Sequence, residues 1–157
     1  MKPVNLYHGS QYKLTSLLPR KAEDLTEIGS QLGIYAAETI DEVIRFAMPI
    51  RWYPDDPTGK KSWSFLSESR LVIELGTIDP YGVGYIYRVS SENFNKIDDW
   101  QWLATSEVLV VDVTEIKVVD YWYLILFSEV ALQANQLLYP SETLYTNKLF
   151  KKENYHE

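Results

Sequence analysis

The sequence predicts an α+β fold with mainly antiparallel β-sheets and a few short helices. Strand candidates outnumber helix candidates, and the two kinds do not alternate along the chain as they would in a doubly wound α/β fold. The chain has 157 residues, of which 46% are hydrophobic, and it contains no cysteine. Because a chain of this length can bury a core without disulfides, we expect one domain over residues 1–157.

The first part of the chain is predicted to hold two short strands separated by a long polar loop. Val4–His8 is a largely apolar run of the kind that forms a strand. A polar segment with a proline and glycines follows, up to about residue 33. Ile34–Ala37 has the composition of a second, buried strand, and it leads directly into a helix candidate.

The helix after the second strand has the strongest local signals. Thr39 and Glu42 have the spacing of a capping box, in which the threonine side chain accepts from the Glu42 amide and the glutamate reaches back. Pro49 ends the helix, because proline has no backbone N–H to donate. Apolar residues between these two signals recur at the helical period: Ile40, Val43, Ile44, Ala47 and Met48.

The rest of the chain is predicted to consist mostly of strands. Residues 49–66 combine prolines, a glycine and tryptophans with polar residues, and we interpret them as an excursion loop. Asp79–Gly82 is predicted to form a turn, and residues 140–157 a C-terminal tail. The strand candidates are Arg70–Leu75, Gly84–Val89, Val108–Val113 and Lys117–Phe127. A late helix is predicted over Ser128–Leu138, with an apolar face formed by Val130, Ala131, Ala134, Leu137 and Leu138.

Charge and hydropathy argue against several classes of partner. Fifteen Lys and Arg against 22 Asp and Glu give a net charge of −7, so we expect no general binding to nucleic acid. The most apolar stretch, Ile116–Leu132, is interrupted by charged residues, and we expect no membrane partner. No apolar signal-peptide segment follows Met1, which leads us to expect a cytoplasmic protein.

Common catalytic and metal-binding motifs are absent from the sequence. With no cysteine and two histidines, one of them His156 in the charged tail, we expect no metal site. Phosphate-loop, dinucleotide-binding, zinc-protease and serine-hydrolase signatures are also missing. Three carboxylate pairs, Glu23-Asp24, Asp55-Asp56 and Asp98-Asp99, lie in polar segments, which favours a solvated surface.

His8 is the histidine whose position suggests a function. It ends an apolar strand and is followed at once by Gly9 and Ser10. A glycine at this place lets a ligand approach the backbone and hydrogen-bond its N–H and C=O. Twenty-seven residues later, Tyr35 stands in the second short strand, immediately before the capped helix.

These segments together resemble the N-terminal half of the ADP-ribosyltransferase superfamily. Leu6–Ser10 and Gly33–Ala37 are similar to the first two motifs of its histidine–tyrosine–glutamate branch, which includes diphtheria-toxin-like enzymes and poly(ADP-ribose) polymerases. Ser106–Val111 is similar to the third motif, a glutamate at the head of a later strand. The resemblance covers most of residues 4–113 and implies a split pair of mainly antiparallel sheets.

The resemblance implies that NAD is a co-substrate and that three residues are catalytic: His8, Tyr35 and Glu107. Gly9 would hold the nicotinamide carboxamide through its backbone, while the His8 ring would bond a ribose hydroxyl. Tyr35 would offer a flat face on which nicotinamide stacks. Glu107 would bond the nicotinamide ribose and stabilise positive charge as the glycosidic bond lengthens.

The resemblance assigns further residues to the adenosine and pyrophosphate parts of NAD. Ser10 would contact the adenosine side, and Arg20 or Lys21 would pair with the pyrophosphate. Thr105 stands where arginine-modifying toxins carry a second glutamate or glutamine, which disfavours arginine as the acceptor. Other glutamates in or beside predicted strands are alternatives to Glu107, namely Glu74, Glu92 and Glu115.

The leading hypothesis is therefore an NAD-dependent ADP-ribosyltransferase-like enzyme that releases nicotinamide and transfers ADP-ribose to an unknown protein, nucleic acid or small molecule. Two alternatives stay open. One is a non-catalytic nucleotide- or protein-binding module on the same fold, suggested by the many aromatic residues in predicted loops. The other is an enzyme like the tRNA 2′-phosphotransferases, although the acidic chain shows no basic stripe for RNA.

Overall fold

A computed structural model describes residues 2–14, 17, 20–21, 32–51, 63–67 and 70–151. The chain forms two compact units, each built from two separate stretches. The first unit is Met1–Met48 with Val83–Ile116, and the second is Pro49–Gly82 with Lys117–Glu157. The prediction of one domain over the whole length stays a prediction.

The α+β class is confirmed, with mainly antiparallel sheets. The described strands are β1 Asn5–Ser10, β2 Arg20–Lys21, β3 Leu32–Ala36, β4 Ile50–Arg51, β5 Trp63–Ser67, β6 Arg70–Leu75, β7 Thr77–Ile78, β8 Val83–Ser90, β9 Asn95–Lys96, β10 Trp102–Ala104, β11 Val110–Lys117 and β12 Ile125–Phe127. The described helices are α1 Ile40–Ala47, α2 Glu129–Leu138 and a 3-10 helix, Val118–Leu124. None of the helices in these ranges is long and apolar enough to cross a membrane.

The first unit contains two sheets, with strand orders β1-β8-β11 and β2-β3-β10-β9. β1 and β8 are antiparallel over their full common length, from Asn5 opposite Ser90 to Ser10 opposite Tyr85. Apolar side chains from both sheets form one buried cluster: Leu6, Leu17, Ile34, Ala36, Tyr87, Val89, Phe94, Trp102, Ala104 and Val108. Burial of this cluster is the main source of stability of the first unit.

Helix α1 packs against β1 and β8 at a close distance that two glycines allow. A Cβ on Gly84 would overlap the Ala47 carbonyl oxygen, and a Cβ on Gly9 would overlap the Val43 carbonyl oxygen. The helix begins after Thr39 as predicted, but Thr39 makes no side-chain bond to the backbone. Its hydroxyl donates instead to the Glu42 carboxylate, over 2.9 Å.

The second unit contains the sheet β12-β6-β5 and the pair β4-β7. β6 is antiparallel to β5 and parallel to β12. Helix α2 contacts β6, β7 and β12. Near the C-terminal end, Leu149 forms a parallel bridge to Phe127 at the edge of this sheet. The predicted tail at 140–157 therefore includes a segment that belongs to the sheet edge.

Tertiary contacts changed two predicted strands. The strand predicted over Lys117–Phe127 is wrong, because a 3-10 helix occupies Val118–Leu124 and β12 covers only the last three residues. The Trp122 indole in this helix is 7% exposed and donates to the Leu144 carbonyl over 2.7 Å, a contact distant in sequence. Similarly, the strand predicted at Val108–Val113 starts and ends later, as β11.

The structure also revises the predicted loop and late helix. Strands β4 and β5 lie at the two ends of the predicted excursion loop at 49–66, whose middle lies outside the described residues. Helix α2 is present, with Ser128 as its N-cap accepting from the Ala131 amide. Its predicted apolar face is confirmed at Ala131, which is fully buried, and is wrong at Val130, Leu137 and Leu138, which are exposed. Asn135, which was not predicted, is fully buried.

The Tyr145 hydroxyl gives the second unit a predicted pH dependence. It donates to the Tyr139 carbonyl over 2.9 Å, and its ring packs on Trp122 and Phe127. Burial raises the pKa of Tyr145 to about 12 from an ordinary value of 10.0. The neutral form is therefore favoured in the folded state, so its stabilising contribution is complete below pH 10.0 and disappears as pH rises through about 12.

We expect Tyr145→Phe to flatten the fall in the free energy of unfolding over this alkaline range. The measurement is urea denaturation at several pH values on wild type and variant. Tyr123→Phe is the control, because Tyr123 is 64% exposed and its variant should retain the wild-type slope. An unchanged slope in Tyr145→Phe would contradict the assignment.

Candidate functional site

The structure brings His8 and Tyr35 together beside the single backbone bridge that joins β1 to the end of β3. His8 Nδ1 lies 2.6 Å from the Tyr35 carbonyl oxygen. Because a carbonyl only accepts, Nδ1 carries a proton and donates it in this bond. On β1 the ring projects to the same side as Leu6, opposite Tyr87 on β8, and the two rings are 6.2 Å apart.

The two strands meet through one pair of backbone hydrogen bonds and then separate. Tyr7 and Ala37 exchange bonds of 2.8 and 2.9 Å, in an isolated antiparallel bridge. If the ladder continued, the next bonded pair would be Gly9 with Tyr35. The Tyr35 carbonyl accepts instead from the His8 side chain. The His8 side chain thus donates to the Tyr35 carbonyl in place of the Gly9 N–H, at the point where the two strands separate.

Gly9 consequently directs a hydrogen-bond donor and an acceptor into this opening. Tyr7 turns its N–H and C=O away from β8 toward β3, and Gly9, two residues later, turns its own groups to the same side. No bridge pairs Gly9 with Tyr35 in the described ranges, since the isolated bridge between these two segments is limited to Tyr7 and Ala37. The Gly9 α-carbon faces α1, where its lack of a side chain is required for packing.

Tyr35 lies in β3 between two residues of the buried cluster. Ile34 and Ala36 are 3% exposed and belong to that cluster, so the alternation of a strand directs the Tyr35 side chain to the other face. It is partly buried, and its Cα partner on β10 is Leu103. The ring therefore projects away from the buried cluster.

The other predicted NAD contacts occupy different settings. Ser10 is 2% exposed, and its hydroxyl oxygen accepts from the Tyr12 amide over 3.1 Å, which ties it to the turn after β1. Arg20 and Lys21 form β2, and the Arg20 backbone pairs opposite Gly33 on β3. The side chains of Arg20 and Lys21 lie outside the described part of the structure.

Glu107 lies in the connection between β10 and β11, not at the head of a strand. Its neighbour Val108 donates to the Leu17 carbonyl over 3.3 Å, and β11 begins at Val110. The Glu107 side chain is exposed, and across the described ranges no hydrogen bond or ion pair joins it to another residue, including His8. The geometry therefore links the first two motif residues to each other but gives no link to the third.

The alternative glutamates are also exposed. Glu92 lies in the turn after β8 and Glu115 in β11, both in the first unit. Glu74 lies in β6 of the second unit. Because Glu107 and the three alternatives are all exposed, exposure does not identify the catalytic acid. Glu107 and Glu92 lie outside regular strands, whereas Glu115 and Glu74 lie in them.

Glu38, beside β3, belongs to a group of interacting side chains that was not predicted from the sequence. Glu38, three residues after Tyr35, accepts from the Trp102 indole over 3.1 Å and lies 3.8 Å from Lys96 Nζ. The same ammonium is 5.8 Å from the centroid of the Trp102 ring. No sequence motif marks this group, since its three members come from separate segments and meet only through the pairing of β3, β10 and β9.

Asp98 fixes the loop that carries Trp100. Its carboxylate accepts from the Trp100 and Gln101 amides over 3.0 and 2.7 Å, and the Trp100 ring stacks on Phe46. Burial opposes ionisation of Asp98, but these hydrogen bonds and nearby Lys96 outweigh it and lower its pKa. The predicted solvated carboxylate is therefore a turn-forming group that places an aromatic ring beside α1.

Comparison with known proteins yields no relative from which a function could be transferred. No family model, no curated protein and no solved structure matches the chain. The described residues also contain no group of three or more His, Cys, Asp or Glu side chains able to hold a metal ion.

Proposed function

We propose that this protein is an NAD-dependent ADP-ribosyltransferase-like enzyme, with a nicotinamide site in the opening between β1 and β3. The observation that carries the proposal is the hydrogen bond of 2.6 Å from His8 Nδ1 to the Tyr35 carbonyl. This bond occupies the carbonyl that would otherwise pair with Gly9. The Gly9 N–H and C=O then remain as an adjacent donor and acceptor beside an aromatic residue.

A primary carboxamide is the chemical group that complements this pair. Its oxygen accepts from the Gly9 N–H, and its NH₂ donates to the Gly9 C=O. A carboxylate has no N–H to donate, so the same backbone pair disfavours nicotinate. Tyr35 lies on the facing strand, β3, and its ring supplies a planar surface for the pyridinium ring of NAD.

The reaction breaks the bond between the nicotinamide nitrogen and C1′ of the ribose. The bonding electron pair leaves with nicotinamide, and positive charge develops on the ribose. An oxygen or nitrogen of the acceptor then bonds to C1′ and loses its proton. His8 bonds a ribose hydroxyl in this proposal, and the exposed Glu107 carboxylate stabilises the developing charge.

The first test measures nicotinamide release from NAD with candidate acceptors. We expect Glu107→Gln to release nicotinamide about 100-fold more slowly than wild type, since removal of one electrostatic stabiliser typically has that effect. Glu142→Gln is the matched control, because it removes an exposed glutamate that is not one of the candidate acids, and it should retain the wild-type rate. Equal rates for Glu107→Gln and wild type would remove Glu107 from the mechanism.

The second test concerns binding and does not depend on the acceptor. Tryptophan fluorescence titrations with nicotinamide and nicotinate should give saturable quenching with the amide and little with the acid. His8→Ala should weaken the amide response, because the Tyr35 carbonyl then becomes available to pair with Gly9 and close the opening. Equal responses to amide and acid would rule out recognition by the Gly9 backbone.

The lack of a described contact between Glu107 and His8 favours a second candidate, a nucleotide-binding module without turnover. This candidate predicts saturable NAD binding with no nicotinamide release in the presence of any acceptor. The third reading, a 2′-phosphotransferase, predicts NAD consumption only with a 2′-phosphorylated RNA end. The same two assays therefore distinguish all three.

A further inference from the structure

Two cations in the second unit approach neighbouring carbonyl groups at one end of the 3-10 helix. Arg70 Nη1 donates to the Tyr123 carbonyl over 2.8 Å. Lys148 Nζ donates to the carbonyl of Trp122, the preceding residue, and lies 5.8 Å from the centroid of its ring. The two positive groups thus bind the carbonyls of consecutive residues, although they are far apart in the chain.

No carboxylate in the described ranges pairs with either cation. Ion pairs do form elsewhere in these ranges, for example Arg88 with Asp112 and Lys96 with Glu38. The lack of a described carboxylate partner for the two cations is unexpected in a chain with 22 acidic and 15 basic residues, where a basic side chain has many carboxylates available. The carbonyl oxygens that these cations contact carry only partial negative charges.

The positive charges of Arg70 and Lys148 repel each other, and this repulsion acts together with burial on the pKa of the lysine. Burial lowers the pKa of Lys148, and the positive charge of Arg70 lowers it further. Lys148 is partly buried, whereas Arg70 is exposed. An anion that reached both groups from the Arg70 side would relieve this repulsion and would replace part of the water that the lysine has lost.

We propose that Arg70 and Lys148 form a binding site for a phosphate group. The guanidinium offers several N–H donors in a planar fork, and each carbonyl bond uses only one of them. The ammonium has three donors, of which the Trp122 carbonyl takes one. A doubly charged phosphate matches two cations better than a singly charged carboxylate does. This site lies in the second unit and does not depend on the proposed NAD chemistry.

Calorimetric titration of the full chain with inorganic phosphate tests the site directly. We expect saturable binding in low salt, with acetate binding at least ~10-fold more weakly. Arg70→Gln and Lys148→Gln should each weaken phosphate binding by about tenfold, the loss of one charge-assisted contact. Lys117→Gln is the matched control: it removes an exposed positive charge just before the same 3-10 helix and should leave binding unchanged.

A variant that keeps the charge separates binding from folding. Arg70→Lys retains a cation but not the planar fork, so it should fold and bind phosphate with intermediate affinity. Titrations with phosphoserine and with AMP then show whether the phosphate belongs to a modified protein or to a nucleotide. The proposal is overturned if wild type shows no saturable phosphate binding, or if both glutamine variants bind phosphate as wild type does.

Discussion

Gly84→Ala is expected to destabilise the first unit by about 3 kcal/mol or more, because the new methyl group has no space. A Cβ at this position would overlap the Ala47 carbonyl oxygen and lie 2.8 Å from its carbonyl carbon. These are backbone atoms of the last turn of α1, so they cannot move aside by a side-chain rotation. Relief requires α1 to shift away from β8, which would expose the buried Val43 and Ala47.

Urea denaturation followed by circular dichroism measures this loss. Gly82→Ala is the control, because a Cβ at Gly82 would approach the Asp79 oxygen to 3.2 Å and the Pro49 Cγ to 3.4 Å, a much milder crowding. We expect the control to change the free energy of unfolding by less than about 1 kcal/mol. A Gly84→Ala protein as stable as wild type would show that α1 does not lie this close to β8.

Asn135→Leu is expected to destabilise the second unit by about 4 kcal/mol. Asn135 is fully buried, and its amide makes three bonds: Oδ1 accepts from the Ile78 amide, and Nδ2 donates to the Gly76 and Ala131 carbonyls. Leucine has a similar size but leaves the Ile78 N–H and the Gly76 C=O buried without partners. Each unsatisfied buried group costs about 1–3 kcal/mol.

The same experiment has a control on the same helix. Gln133→Ala alters an exposed residue of α2 and should change stability by no more than about 0.5 kcal/mol. Asn135→Asp is a finer probe, because it keeps the acceptor for Ile78 and has one donor for the two carbonyls only while its carboxyl is protonated. Its stability should lie between wild type and Asn135→Leu at acidic pH, where the carboxyl is protonated and can donate, and should fall as pH rises. A wild-type stability of Asn135→Leu would refute the role of this amide.

Local chemistry explains which elements were predictable. β6 starts and ends where its run of Leu, Val and Ile residues indicated, and α1 begins at its N-cap and ends before Pro49. The strand predicted over Lys117–Phe127 was wrong, because a run of apolar and aromatic residues fits a strand and a short buried helix equally well. The packing of Trp122 against Phe127 and Tyr145 decides for the helix, and those partners come from later in the chain.

The candidate site was predictable only in its residue types. His8, Gly9 and Tyr35 stand out in the sequence, and the structure places the first and last in contact. The direction of the Gly9 backbone groups depends on which neighbour β1 pairs with, so no local signal contains it. The start of the strand after Glu107 also depends on its neighbour. β11 starts at Val110, and its pairing partner β8 ends at Ser90, whose amide donates to the Leu109 carbonyl.

The amino-acid sequence by itself determined the α+β class, α1 with its end signals, and the short list of chemically interesting residues, because these depend on local propensity and on the period of apolar residues. Only the tertiary structure decided that α2 buries an asparagine and exposes leucines, that β1 and β3 separate at Gly9, and that Arg70 and Lys148 bind neighbouring carbonyls. Each of these features depends on which distant segment supplies the hydrogen-bond partner. A buried polar group that one neighbouring segment leaves unpaired has to find its partner in a different segment.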